Sequence, residues 1–552
     1  MIPDLWYKNA VFYAVAVDTF MDSNGDGSGD LEGLVRRLDY LEGLGVDALS
    51  LAPFQPTPNR DEGYDISDYY GVDRRFGSAG DFVELVHQAE SRGLRVIVDL
   101  VVNHTSDRHP WFQEARRSRE SPRHDWYVWS KKRPPDLHKG IVFPGVQRAT
   151  WTYEKDVREY YFHRFYDFQP DLNMENPAVR NEVRRILGYW LELGVAGFRV
   201  DAVPFLLEKP SPRGGKPTLR FEYLREMRDF LQWRVGDAIL LGEANVPPKQ
   251  SPQYFADGQG LHLMFNFWVN QHLFYALASG DVGPLADALR ATRDIPATAQ
   301  WAHFLRNHDE LDIGHLADEQ RAAVFERFGP EPKMQLYDRG IRRRLAPMLG
   351  DRRLVELAYS VLLALPGAPV LRYGDEIGMG EDLSLRERTA IRTPMQWSGE
   401  PNAGFSTGEK LVRPVVTDRL YGYKSVNVER QRRDPSSLLN WTIRMIRLRK
   451  ECPEIGWGEW QIVPTRPPGV LAISHRWRGN AVVCVHNFDA QPCEVTLRLP
   501  LDGGDRLASL VDEEESRADG RGRHRLALEG YGYRWYRVGG LDYALRRDSI
   551  MG

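Results

Sequence analysis

A (β/α)8 barrel with an inserted irregular domain and a C-terminal antiparallel β-sandwich is the fold this 552-residue sequence predicts. Three observations predict it. Short apolar runs alternate with amphipathic helical stretches until eight strands have been laid down. The alternation breaks after His104, where residues 105–177 are rich in Arg, His, Pro, Tyr and Trp, hold no clean helical period and are too long for an idle loop. From residue 462 onward strand-like segments dominate, punctuated by Gly, Pro and Asp. The expected units are 1–104 and 178–461 for the barrel, 105–177 for the insertion and 462–552 for the sandwich. An open doubly wound sheet is the alternative, but "DGSGD" after the first strand lacks the spacing of a dinucleotide fingerprint.

The elements follow in order. Residues 11–20 form the first buried strand, 31–45 a helix closed by Gly45, and 46–54 the second strand. A helix over 78–93, capped by Ser78 or Asp81, leads to a third strand, "LRVIVDLVVNH", near-continuously apolar as a parallel strand should be. Beyond the insertion, 179–196 is helical and ends at Gly194, and "GFRVDAVPF" is a short strand that Pro204 discourages from continuing. Strands five to eight are read at 238–244, 261–267, 301–307 and 368–374. Helices lie near 219–235, 270–279, 284–291 and 352–365, the loop "PSPRGGKP" precedes the first of them, and 311–350 is a polar excursion with helical character. A helix over 436–453 completes the ring, and 512–525 reads as a solvated turn.

Composition narrows the function classes. Lys plus Arg is 73 against 77 Asp plus Glu, so nothing asks for nucleic acid. The three cysteines form no disulfide framework, "MIPDLWYKNA" lacks an apolar signal core, and the best membrane-span candidate is broken by Glu356 and Pro366. A soluble cytoplasmic protein is expected, with a homodimer favoured only by the base rate for soluble oligomers. Aromatic residues are generous, and sugars stack on aromatic faces.

Ionisable residues gather at the predicted strand ends. Strand three ends in Asp99, Asn103 and His104, strand four carries Arg199 and Asp201, strand five Glu243, and strand seven Asn307, His308, Asp309 and Glu310. All would converge on one barrel mouth. Arg199 and Asp201 are two apart and point to one side of the strand. Separate structural ion pairs are the bland reading, but so many buried charges are costly unless used. Carboxylates without a cysteine or serine nucleophile point to glycosidic-bond chemistry, in which one attacks the anomeric carbon and a second, kept protonated, donates to the leaving oxygen. Arg199 would keep Asp201 ionised and aimed, and His104 and His308 suit sugar hydroxyls or developing negative charge. In "DSNGDGSGD", Asp22, Asn24 and Asp26 reproduce the first half of a calcium loop, but its twelfth position is Gly33, so it is no EF-hand. A calcium or magnesium ion on Asp22, Asn24, Asp26 and Asp30 is expected, with a metal-free Asx-turn cluster as the alternative.

The motifs "DLVVNH", "GFRVDAV", "LLGEAN" and "FLRNHDE", in this order and spacing, resemble those of the alpha-amylase family of retaining glycosidases and transglycosidases. "NHTSDRHPWFQEAR", "FYDFQPDLNMENP", "RYGDEIGMG" and "RTPMQWS" resemble the branch that interconverts maltose and trehalose. The resemblance implies Asp201 as nucleophile, Glu243 as general acid/base and Asp309 as the third carboxylate. It implies Tyr64 as a platform under a glucose ring, and Asp65 with Arg392 as the pair holding its far hydroxyls. Phe143 and Phe168 would wall the pocket, or pack as core, and Glu310 leans to the transferase side. Asn103 and Asp171 would hold a second structural ion. Maltose, trehalose and glucose are the implied partners, with no nucleic acid, no membrane and no cofactor at the chemical step. An α-glucosidase or another sucrose or maltose isomerase is the alternative activity, and a binding-only homologue the alternative class. Two departures, Glu62 in "RDEGYD" and the altered "FQPTPNRD", fall outside the catalytic set.

Overall fold

The computed structural model describes residues 3–209, 217–499 and 504–539. Eight strands close a wholly parallel barrel in sequence order: β1 (Phe12–Val15), β2 (Ala48–Leu51), β3 (Arg95–Leu100), β4 (Gly197–Val200), β5 (Ile239–Gly242), β6 (Leu263–Phe265), β7 (Gln300–Phe304) and β8 (Ala368–Arg372). Seven lie within the runs that predicted them, and β7 begins one residue before its expected run of 301–307.

Strand parity sets the site. Ile97, Ile239 and Leu241 join the small cluster that fills the barrel, while Val96, Val98, Phe198, Val200 and Leu240 pack outward in the larger core shared with the helices. Successive side chains point to opposite faces. Asp99, Arg199, Asp201 and Glu243 fall on the inward parity, at and just beyond the strand ends. Gly197 lets β4 and β5 meet: its φ is 148°, and a Cβ there would lie 2.4 Å from the Ile239 carbonyl oxygen.

The insertion carries a small antiparallel sheet from Trp129–Ser130, Glu159–Phe162 and Trp151–Glu154. The excursion is less helical than read: Asp318–Phe328 and Leu345–Leu349 are helices, but Leu311–Asp312, Gly340–Ile341 and Gln335–Leu336 form a three-stranded sheet. The single helix expected over 31–45 is two, Leu31–Val35 and Leu38–Leu44, because Arg37 leaves helical backbone (φ −109°, ψ 4°), its guanidinium 4.2 Å from the Trp397 ring centroid.

The C-terminal region pairs a six-stranded with a two-stranded antiparallel sheet, and Val470, Val483 and Val485 of one meet Val495, Leu497 and Leu526 of the other. The turn expected over 512–525 contains a strand, Glu515–Arg517, paired to Arg506–Ser509. It lies at the sheet edge, where charged side chains face water and guard the unpaired backbone. Most of the "PSPRGGKP" loop, residues 500–503 and the end of the sandwich after 539 lie outside the described residues. Among the described residues no helix is long and apolar enough to cross a membrane.

Candidate active site

Arg199 is the hub of the barrel mouth. Its Nη1 lies 2.5 Å from Asp99 and 3.1 Å from Asp201, and its Nη2 2.8 Å from Glu243. One buried guanidinium thus organises two buried carboxyls and the partly buried Glu243, a geometry suited to its planar fork. Asp201 and Glu243 sit on the two ends of that guanidinium. The pairing suits the close carboxyls of a retaining enzyme, about 5–5.5 Å apart, rather than the gap of about 6.5–9.5 Å that an inverting enzyme keeps for water. The backbone turns hard behind Asp201: Ala202 adopts left-handed φ 50°, ψ 40° and starts the short helix Val203–Leu206. Strain of this kind gathers where a side chain must be aimed.

The two carboxyls differ electrostatically. Burial pushes Glu243 up to about 8, with Arg199 opposing and Asp201 and Asp309 adding to the rise. Burial raises Asp201 to about 6, against Arg199. At neutral pH Glu243 is protonated and Asp201 mostly ionised, the split that an acid and a nucleophile need. Burial would also raise Asp309, but neighbouring positive charge holds it well below the usual carboxylate range. Burial drives its neighbour His308 neutral. Arg388 and Arg392, each 2.8 Å from Asp309 Oδ1, then supply that charge at neutral pH.

Two connected chambers meet here. The inner one reaches into the barrel past Asp99, Arg199, Glu62 and Arg392, and the outer one is lined by Asp61, His104, Phe143, Asp201, Asp309, Glu310 and Arg388. Tyr64 and His308 line both; their rings stack at 5.3 Å, and the Tyr64 hydroxyl sits 2.9 Å from both Asp99 and His308 Nε2. His104 lines the outer chamber with its Nε2–H given to the Tyr64 carbonyl, and burial lowers it to about 4. Glu310 lines it too, pushed up to about 7 by burial and Asp309. Gly340 is required beside it, since a Cβ there would sit 2.4 Å from Glu310 Cγ.

Two expected placements are corrected. Asp65 does not pair with Arg392: it is fully buried and accepts from the Thr57 hydroxyl and the Arg60 and Asp61 amides, so it folds its own loop. Arg392 instead binds Glu62, Asp309 and the His308 carbonyl. Phe168 lines neither chamber; it stacks on Tyr166 at 5.0 Å beneath the Arg60 guanidinium, and Phe165 lines the wall instead.

Sequence reasoning missed Asp61, Glu62, Gln169, Arg388 and Arg413. Asp61 Oδ1 accepts from Arg388 at 2.9 Å and Oδ2 from Gln169 at 2.9 Å, and burial raises it to about 6. Glu62 lies between Arg392 and Arg413, which, against the effect of burial, lower it to about 2. The available signal was the run of charge in "RDEGYD" beside Tyr64 and the arginine four residues before Arg392. The partners are some 330 residues apart, so no local pattern joins them.

In the loop after β1, Asp22 accepts from the amides of Asn24, Gly25 and Gly27, Asn24 from that of Asp26, and Asp26 from that of Ser28. Asp30 caps the helix Leu31–Val35 through the Gly33 amide. The Ser406 hydroxyl also binds Asp22, and the Ser23 amide and hydroxyl bind Asp30, so Asp22 has all four acceptor positions filled and the four side chains do not form an open donor set for a cation. Asp171 accepts from the Arg164 amide and from Asn103, and its segment bridges to His104, so direct bonds already tie insertion to barrel. Among the described residues no group of three or more His, Cys, Asp or Glu is gathered to hold a metal.

Comparison with known proteins agrees with this geometry. The model of the alpha amylase catalytic domain matches residues 15–328 and 341–458, and that of the sucrose hydrolase-like C-terminal domain matches 479–537. The trehalose synthase/amylase TreS of Mycolicibacterium smegmatis is 42% identical over 97% of this chain and 92% of its own. The trehalose synthase of Pimelobacter sp. is 40% identical over 97% and 96%. A crystal structure of the trehalulose synthase MutB, a mutant in complex with Tris, superposes with a TM-score of 0.77 at 28% identity, covering 97% of this chain and all of that one. Matched by the catalytic-domain model over most of its length and aligned end to end with trehalose synthases, the chain belongs to the alpha-amylase family, in the branch that holds them.

Proposed function

We propose that the protein interconverts maltose and trehalose by intramolecular, retaining glucosyl transfer. The adjacent Asp201 and Glu243 carboxyls, split about neutrality and bridged by Arg199, carry the chemistry. The full-length likeness to trehalose synthases supports the acceptor choice. Asp201 attacks the anomeric carbon while Glu243 gives its proton to the glycosidic oxygen, which leaves with the bonding electron pair. A glucosyl-enzyme and free glucose result. The glucose turns in the outer chamber; Glu243, now a carboxylate, takes the proton of its anomeric hydroxyl as that oxygen attacks and Asp201 departs. Two inversions give the α,α-1,1 linkage. Asp309, held anionic by Arg388 and Arg392, is placed to accept sugar hydroxyls, and Tyr64 offers a ring face. Water entering in place of glucose releases glucose slowly. A calcium or magnesium ion on Asp22, Asn24, Asp26 and Asp30 would brace the loop only by displacing donors already bound to Asp22, and it takes no chemical step. A cytoplasmic location fits the three free cysteines.

The test is maltose with labelled free glucose. Trehalose carrying little label is the expected product. Glucose with no trehalose at any time rejects the transfer and leaves an α-glucosidase.

A further inference from the structure

A retaining transferase of this kind must keep its cleaved glucose, and the wall that would do so is built from three distant segments. Phe143 of the insertion lines the outer chamber. It is clamped by Tyr166 at 5.0 Å, by Tyr337 of the excursion at 5.0 Å, and by the Arg388 guanidinium, 5.0 Å from its centroid. Both tyrosines donate to one oxygen: Glu387 Oε2 lies 3.1 Å from the Tyr166 hydroxyl and 2.9 Å from that of Tyr337. Glu387 and Tyr337 both hold left-handed backbone, φ 42° and 56°, which neither residue type favours. The surroundings over-determine that strain. Arg342 of the excursion donates to the carbonyls of Leu383, Leu385 and Glu387, and Arg339 to that of Val142. Glu387 lines neither chamber, so it can act only through the residues it holds.

We infer that Glu387 is a specificity-determining positioning residue: by tying Tyr166 and Tyr337 across Phe143 it holds the three segments shut while glucose reorients, and so sets the share of transfer against hydrolysis. The inference rests on the proposed maltose–trehalose interconversion. Opening of the wall admits water and releases glucose, and both compete with transfer for the glucosyl-enzyme. The carboxylate pair that forms the glucosyl-enzyme is untouched by the latch.

The test compares Glu387→Ala, Glu387→Gln and Tyr337→Phe with wild type on maltose plus labelled glucose. Release of nitrophenol from a nitrophenyl α-glucoside reports glucosyl-enzyme formation without a retained acceptor. Glu387→Ala and Tyr337→Phe are expected to raise the ratio of glucose to trehalose, and the label entering trehalose, about fivefold, the effect of weakening one hydrogen bond on an opening equilibrium. Nitrophenol release should stay within about twofold. Glu387→Gln, whose amide oxygen still accepts both hydroxyls, should restore most of the wild-type ratio. An unchanged ratio in Tyr337→Phe, or a fall in nitrophenol release matching the loss of trehalose, overturns the role. A wild type that makes no trehalose rejects the underlying reaction instead.

Discussion

Arg199 illustrates how one residue sets several titrations. By touching Asp99, Asp201 and Glu243 it limits the rise that burial forces on each, without cancelling it. Activity needs Asp201 ionised and Glu243 protonated. The pH profile of kcat/KM should therefore rise through about 6, fall through about 8 and peak between them. Loss of the alkaline limb in Glu243→Gln, read with a substrate that needs no acid assistance, would assign that limb; its persistence would remove the assignment. The same shifts act on stability with a definite sign. Both groups bind a proton more tightly folded than unfolded, so the stability they contribute is full below about pH 4 and is lost as pH rises through about 6 for Asp201 and about 8 for Glu243. Asp201→Asn should thus lose at least about a thousandfold in turnover while its thermal midpoint at neutral pH stays level or rises. A fully active Asp201→Asn would end its assignment as nucleophile, and a lower midpoint would mean that Asp201 stabilises the fold.

Between elements, backbone approach decides what side chains can do. β4 and β5 bring Arg199 and Asp201 beside Glu243 only because Gly197 leaves room against Ile239. Gly197→Ala is expected to cost about 3 kcal/mol or more, through a left-handed-region φ and a backbone clash together, measurable by urea unfolding. A cost near zero would show that the strands can shift apart. The loop after β1 makes a separate prediction. Removing divalent ions with a chelator should lower the thermal midpoint, and calcium should restore it, if Asp22, Asn24, Asp26 and Asp30 share a cation. Elemental analysis finding no bound ion after dialysis would leave an Asx-turn cluster, whose amide bonds are already in place.

At the scale of the whole molecule, the C-terminal sheets are part of the barrel's core. Trp535 and Ile473 pack in the same cluster as the barrel helices, and the Trp535 indole donates to Ser360 at 2.9 Å. Arg537 meets Glu454, which is fully buried. Arg537→Ala should destabilise by about 3–5 kcal/mol by leaving that carboxylate buried without its cation. Calorimetry should show the loss in one transition covering barrel and sheets; a separate early transition confined to the C-terminal sheets would show that they fold independently.

The chain alone determined the barrel, because each strand is a short apolar run and its period is a local property. It also determined which of Asp99, Arg199, Asp201 and Glu243 share the lumen, since parity along a strand is fixed by counting. The second tier of the site lay beyond such counting. Asp65 and Glu62 sit three residues apart in one loop, and only the fold shows that Glu62 reaches Arg392 while Asp65 turns inward to its own amides. Phe143 and Phe168 are equally aromatic, and only packing puts one in the chamber wall and the other behind it. Loops after β2, β3, β7 and β8 meet across hundreds of residues, and their pairings depend on closure of the ring. Closure fixes where strand ends stand, and long-range electrostatics then selects which charges in the loops between them are paired.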